Sequence, residues 1–482
     1  MGLILVLIER SMRKIQKLNF QQSKHLLERT GFGVELDEVE SFVGLSVETV
    51  VQKLISQSQE SNVPPPKLLK PSERQQKIKQ LRKSGQRREA NKLVGKERKS
   101  LKEWGLKNLL ESENKLHERM VWFWHNHFTS STQNVSTMAW MFQQDESIRK
   151  HAMGNFSELL IAMTFDPAML IYLDGKSNRK GQPNENFARE LLELFTLGEG
   201  HYTEGDIKEA ARAFTGWKVN TKKDKVIFRK KHHDSGIKNF MGQQGNFSAD
   251  DILKIVLQNP RTAEFISEKL WYEFVSIQPP DPAVIKSWAS SFITSHYDIT
   301  KLLEVIFKSD AFWDEKYRGT LIKSPLDIVV GSLRTFNLED QNASLNVFVR
   351  QLKLMGQDLY SPPNVKGWEG GKAWIDDDSL LRRRSFLTRI MRGQAGANKK
   401  KRRKMSAMKM TDASMSESRP NKNMKSGMKK NAMDLSKYKL PDLSEKQWVE
   451  WLLPINAITP IDKKSKQARL KAIVLDPAYQ LK

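Results

Sequence analysis

The stretch that decides the fold runs from residue 184 to 217, Asn-Glu-Asn-Phe-Ala-Arg-Glu-Leu-Leu-Glu-Leu-Phe-Thr-Leu-Gly-Glu-Gly-His-Tyr-Thr-Glu-Gly-Asp-Ile-Lys-Glu-Ala-Ala-Arg-Ala-Phe-Thr-Gly-Trp. Its apolar residues recur at helical spacing, and Gly198 and Gly200 divide it into two helices. Projected at about 100° per residue, Asn186, Arg189, Glu190 and Glu193 share one arc of about 100°. Phe187, Ala188, Leu191, Leu192, Leu194 and Phe195 fill the opposite arc. Thr203, followed three places on by Asp206, opens the second helix with a capping box, and Ile207, Ala210, Ala211 and Phe214 form its apolar face.

The same periodicity extends outward. Residues 18–57 read as two helices flanking Gly31-Phe32-Gly33, with Leu26, Leu27 and Phe32 as core. Residues 110–175 are helical, and Val121-Trp122-Phe123-Trp124 is apolar on all sides, as a buried helix must be. Helical spacing returns from 249 to 353. Between them, Val226-Ile227-Phe228 reads as a short strand, followed by a glycine-rich loop carrying His232, His233 and Asp234. Lys323-Ser324-Pro325 reads as a helix cap. The fold expected is mainly α, a large irregular helical domain with a small β/loop region near 219–248. Its parts are an N-terminal helical part (1–63), a basic protruding helical insertion (64–107), a main helical body with a polar cleft (108–393), a disordered Lys/Met-rich insertion (394–436) and a closing C-terminal element (437–482).

A resemblance runs through the chain. Pro-Asn-Glu-Asn-Phe-Ala-Arg-Glu-Leu-Leu-Glu-Leu-Phe-Thr-Leu-Gly, with Tyr-Thr-Glu-Gly-Asp and Thr-Gly-Trp after it, resembles the signature of a bacterial family known as domain of unknown function 1800. Further matching pieces follow the expected order: 25–33, 119–128, 167–174, His233-Asp234, 323–325, 355–357 and 362–368. Asp166 departs from the pattern, which leads one to expect histidine there. The resemblance implies a protein that is often exported and often encoded near sulfatase-like hydrolases, so a sulfatase-like companion is an expected partner. It implies a periplasmic or extracellular location that the N-terminus, with only the six-residue apolar run Leu3–Ile8, does not itself display. No stretch reaches transmembrane length.

Charge is concentrated. The net charge is +24, yet residues 67–107 hold 15 Lys/Arg against 4 Asp/Glu and residues 399–430 hold 12 against 2, leaving about +3 for the remainder. No aromatic residue interleaves the cations between Lys67 and Lys102, which argues against a single-stranded nucleic-acid platform and makes nucleic acid an unlikely partner. Zero cysteines exclude disulfides, thiolate metal sites and a cysteine nucleophile. There is no Gly-x-Ser-x-Gly, phosphate-binding loop or dinucleotide fingerprint.

Three groups carry candidate chemistry. His125 and His127 lie about 200° apart on a helix, so they share an ion only if the helix ends there, and otherwise act as buried histidines bonded to carboxylates or backbone. Arg189, Glu190 and Glu193 offer a metal ligand and a general base, or else a buried ion-pair network of Arg189 and Arg212 with Glu190 and Glu193. His233-Asp234 offers nitrogen and oxygen donors, or else a plain Asx-type turn. If these groups converge, His125, His127, Glu190, His233 and Asp234 hold a divalent metal ion, with Glu193, Arg189 and Asp206 catalytic. The function would then be metal-dependent hydrolysis of a cell-envelope or extracellular polymer. The alternative is a non-catalytic envelope assembly or secretion accessory factor whose cleft is a structural network or a groove for a polymer or peptide ligand. Trp368 and Trp374, after Pro362-Pro363, fit an aromatic rim for a sugar polymer or ordinary core and turn packing.

Overall fold

Helices start where the sequence supplies a side-chain acceptor for their first free N–H groups. In the computed structural model, which describes residues 17–57, 61–338, 344–391, 441–461 and 465–482, capping boxes open the helices Phe20–Thr30, Glu204–Ala213, Ala249–Gln258, Pro325–Thr335 and Glu445–Leu452. The capping box read from the sequence, Thr203 with Asp206, is formed, and the cap read at Lys323-Ser324-Pro325 is a second box, Ser324 with Asp327. The described chain is mainly α-helical, with two antiparallel two-stranded sheets, β1 (Trp217–Asn220) with β2 (Lys225–Phe228) and β3 (Lys238–Phe240) with β4 (Gln243–Gly245). Both sheets fall in the β/loop region expected near 219–248. The Met/Lys-rich segment 394–436 and the apolar run at 3–8 lie outside the described residues.

Two local readings change. After Gly31-Phe32-Gly33 there are two helices instead of one, Leu36–Phe42 and Val47–Ile55, because Ser46 caps a new start on Thr49 N. The helix at 185 keeps α geometry only to Glu190, and Leu191–Thr196 winds as a π-helix. The wider turn shows in Thr196 Oγ1, which donates to Leu191 O five residues back at 2.5 Å, so a constant 100° step fails past Glu190.

Two hydrophobic cores form, and the Lys115–His127 helix stands between them. Leu116, Met120, Val121, Phe123 and Trp124 pack into one, while Trp122 packs into the other with Trp368, Trp374 and Leu326. That double duty is why Val121–Trp124 is apolar all round. The basic stretch is a helical pair, Pro71–Lys83 and Arg87–Glu111, whose second helix buries Leu101, Trp104, Leu106 and Leu109 in the second core. Arg74 braces the pair through Glu97 at 2.7 Å, both side chains being buried.

Asp166, at the position where histidine was expected, caps Pro167–Tyr172 by accepting from Met169 N at 2.8 Å and from Gln144 Nε2 at 2.9 Å. Burial pushes its carboxyl up to about 7, and the hydrogen bonds to the carboxylate offset this only in part. In the unfolded chain the group titrates near 3.9. Between about pH 4 and 7 the folded state therefore keeps a proton that the unfolded state has lost, and stability falls as pH rises through that window. Asp166→Asn, neutral at every pH, should melt above wild type at pH 8 and level with it near pH 4. A calorimetric advantage that stays constant with pH would contradict this assignment.

Candidate functional site

A cleft of about 700 Å³ opens where the two cores meet along the Lys115–His127 helix. Its aromatic lining comprises Phe32, Trp122, Phe123, Phe265, Tyr272, Trp368 and Trp374. The irregular segment 354–375 supplies one wall, and the Pro260–Phe274 helix supplies another. Asn126 fixes the irregular wall: its Nδ2 donates to Trp368 O at 3.1 Å, and its Oδ1 accepts from Trp368 N at 2.7 Å. Gly367, at φ 84°, lies so close to Asn126 that a Cβ there would collide with it.

A buried charge network forms the floor. Arg119 bonds Asp327, Glu273 (2.8 Å) and the carbonyl of Gly31, and its guanidinium lies 4.3 Å over the Phe32 ring. Lys482 Nζ reaches Asp327 at 3.1 Å and is held there by pairing of Lys482 and Gln480 with Leu321 and Lys323. Burial alone would raise the Asp327 carboxyl, but the charges of Arg119 and Lys482 outweigh it and hold the group well below the usual carboxylate range.

Among the expected metal ligands and catalytic residues, His127 is the one that lines this cleft, beside Trp368 and Trp374. Its Nε2 lies 3.0 Å from Phe195 O, a carbonyl that can only accept, so the proton is on Nε2 and Nδ1 carries the lone pair. Burial and then the charge of Lys269 hold the imidazole well below its ordinary value, so it is neutral. Lys269 is a second cleft residue; burial lowers its ammonium, and among the described residues it forms no ion pair. His127 Nδ1, Trp122 Nε1 and Trp368 Nε1, all from residues of the cleft wall, are buried without a hydrogen-bond partner. Unsatisfied buried atoms are the exception in folded proteins, and three of the twelve among the described residues belong to residues of this cleft wall.

The remaining candidates lie in bonded groups of their own. His125 Nε2 meets Asp145 at 2.8 Å, in a buried network with Arg149 and Tyr360. Glu193 accepts from Tyr202 Oη at 2.9 Å and lies 3.7 Å from Lys366 Nζ, whose residue also lines the cleft. Glu190 beside it has a raised carboxyl, from burial and from the charge of Glu193. Arg189 pairs with Glu204 and Glu185 instead of Glu190 or Glu193, and Arg212 pairs with Glu209 and Asp234. Asp234 also accepts from Gly236 N at 2.9 Å, the Asx turn, while His233 Nδ1 lies 3.0 Å from Thr215 O. Asp206 closes its capping box and accepts from Met241 N at 2.6 Å. Among the described residues no three His, Asp or Glu side chains are grouped so that they could hold one metal ion. Of the five expected ligands, His125, His127, His233 and Asp234 each have a nearer bonded partner.

Sequence reading missed Arg119, Phe265, Lys269, Tyr272, Asp327 and Lys482. Arg119 stood in the matching run 119–128 and Asp327 just after the predicted cap at 323–325, but no local pattern joins positions so far apart.

Fold and cleft together define a mainly helical protein with one large aromatic and charged groove. A family model described as "Protein of unknown function (DUF1800)" matches residues 25–481, nearly the whole chain, and the protein belongs to that family. No curated protein and no solved structure matches it. Among the described residues no helix is long and apolar enough to cross a membrane.

Removing one partner from a buried charge network costs roughly 3–5 kcal/mol. Asp327→Ala should therefore lose about that much in urea unfolding, whereas removing the exposed Glu204 from Arg189 should cost less than about 1 kcal/mol. Equal losses would contradict the floor assignment.

Proposed function

We propose that the protein is a non-catalytic recognition factor that binds a glycan segment of a cell-envelope or extracellular polymer in the cleft at Trp122, Trp368, Tyr272 and His127. The observation that carries this reading is the coincidence, in one groove of about 700 Å³, of aromatic walls with buried polar atoms that lack partners. Sugars combine apolar ring faces with hydroxyl groups that both donate and accept. Aromatic side chains suit the faces, and the unpartnered indole N–H groups and the His127 lone pair lie just behind the wall, so that a small shift of the wall on binding would let a hydroxyl recover a hydrogen bond now unmade, worth about 1–3 kcal/mol. Tyr272, 48% exposed, is the most accessible ring.

A hydrolytic reading would use the same groove. It is less favoured because three of the four carboxylates lining the cleft, Asp327, Glu273 and Glu268, are paired with Arg or Lys, an arrangement that keeps a carboxylate ionised instead of supplying an acid, and the fourth, Glu369, is solvent-exposed.

The test is calorimetric titration with a panel of neutral and acidic oligosaccharides. At least one should bind, and Tyr272→Ala should weaken it about tenfold, the equivalent of about 1.4 kcal/mol. Ile293→Ala, an exposed change outside the cleft lining, should not alter it. Binding unaffected by Tyr272→Ala, or turnover of the oligosaccharide, would overturn the reading.

A further inference from the structure

The near-neutral remainder of the sequence conceals a third basic stretch, and the fold sets it against the first. The segment 217–231, which contains β1 and β2, carries seven Lys/Arg and one acid, Asp224. Lys218, Lys222, Lys223, Lys225, Lys230 and Lys231 are all exposed, and none forms an ion pair among the described residues. Asp224 is already engaged: it accepts from Ser72 N and Ser72 Oγ, both at 2.8 Å, at the start of the Pro71–Lys83 helix. That contact joins the lysine-rich hairpin to the basic helical pair and withdraws the one carboxylate that could have moderated it.

The helical pair continues the surface. Arg88, Lys92, Lys96 and Lys99 are spaced four, four and three residues apart, so they share one face of the Arg87–Glu111 helix at steps of about 5–6 Å. Lys77, Lys79 and Lys83 are exposed on the other helix of the pair. Only Lys92 and Lys99 of these seven have a carboxylate neighbour, each at 3.6 Å. The surface thus carries lysine-dominated charge with little internal neutralisation, its exposed acids being few beside the cations. His232, at its edge, has its imidazolium disfavoured by slight desolvation and then by Lys231, Arg229, Lys218 and Arg179.

We propose that this surface docks an acidic polysaccharide, a linear polymer with one carboxylate or sulfate per sugar unit, laid from the β1–β2 hairpin along the helical pair. Duplex DNA presents a charge every 1.7 Å or so of axis, far denser than this row of cations. Single strands are gripped by interleaved aromatic platforms, and the helical pair has none between Lys67 and Lys102. Lysine acts as a hydrated point charge without the fixed fork of arginine, which suits anions spaced along a flexible chain and approached in varied geometry. The proposal goes beyond the cleft reading and does not rest on it, since none of these residues lines the cleft.

The experiment uses the full chain and measures binding of heparin oligosaccharide and polygalacturonate by fluorescence anisotropy at about 0.05 M and 0.15 M salt. Neutral dextran, duplex DNA and phosphatidylglycerol vesicles serve as comparisons. Wild type should bind the acidic polysaccharides more tightly than any comparison, and more weakly at the higher salt. K222Q/K223Q/K225Q and R88Q/K92Q/K96Q should each weaken binding about tenfold with unchanged melting temperature, while Tyr272→Ala leaves it as in wild type. No polysaccharide binding overturns the proposal, as does equal or tighter binding of DNA or vesicles. Triple variants that bind as wild type also overturn it, since the charge would then act from elsewhere, for example residues 399–430.

Discussion

The ion pair between Arg119 and Asp327 is the constraint on which the rest of the structure depends. Arg119 belongs to the helix that separates the two cores, and Asp327 belongs to the first turn of Pro325–Thr335 in the second core. Two charges removed from water hold together only when their remaining hydrogen-bonding capacity is met. Here Gly31 and Glu273 take up the guanidinium, while Ser324 and Lys482 take up the carboxylate. Five separate segments of the chain thereby converge on one buried point.

How much of this was legible in the sequence follows from the range of the forces involved. Helices were legible because their cause is local: Thr203 and Asp206, or Ser324 and Asp327, bond across three residues, and apolar faces repeat every turn. The short β2 strand was legible for the same reason. The π-helix at Leu191–Thr196 was not, since one altered turn leaves composition unchanged and the polar stripe of Glu190 and Glu193 looks the same either way. The break at Ser46 was missed because apolar spacing continues on both sides of it.

The site was the least legible. His127 was singled out as a metal ligand, yet its place in the cleft comes from Phe195 and Lys269, which approach it from distant segments. His125, Asp206, Asp234 and Arg189 were chosen for ionisable character, and each meets a partner that the sequence could not name. The charge pattern behaved similarly. Counting by segment placed the basicity in two stretches, whereas the Asp224–Ser72 contact makes the β1–β2 hairpin an extension of one of them. Aromatic residues carried the opposite lesson: Trp368 and Trp374 were read as either rim or core, and they serve as both, being buried in the second core while lining the cleft.

The most direct test of the account is the indole region of a nitrogen-15 NMR spectrum, recorded on protein labelled at its 12 tryptophans and assigned by single Trp→Phe variants. Titrated with a panel of oligosaccharides, the Trp122 and Trp368 N–H resonances should move together and saturate, while that of Trp288, buried in the first core, stays in place. If no oligosaccharide moves the cleft pair, or if Trp288 moves as much as they do, the cleft is not the recognition site that its walls and unpaired polar atoms indicate.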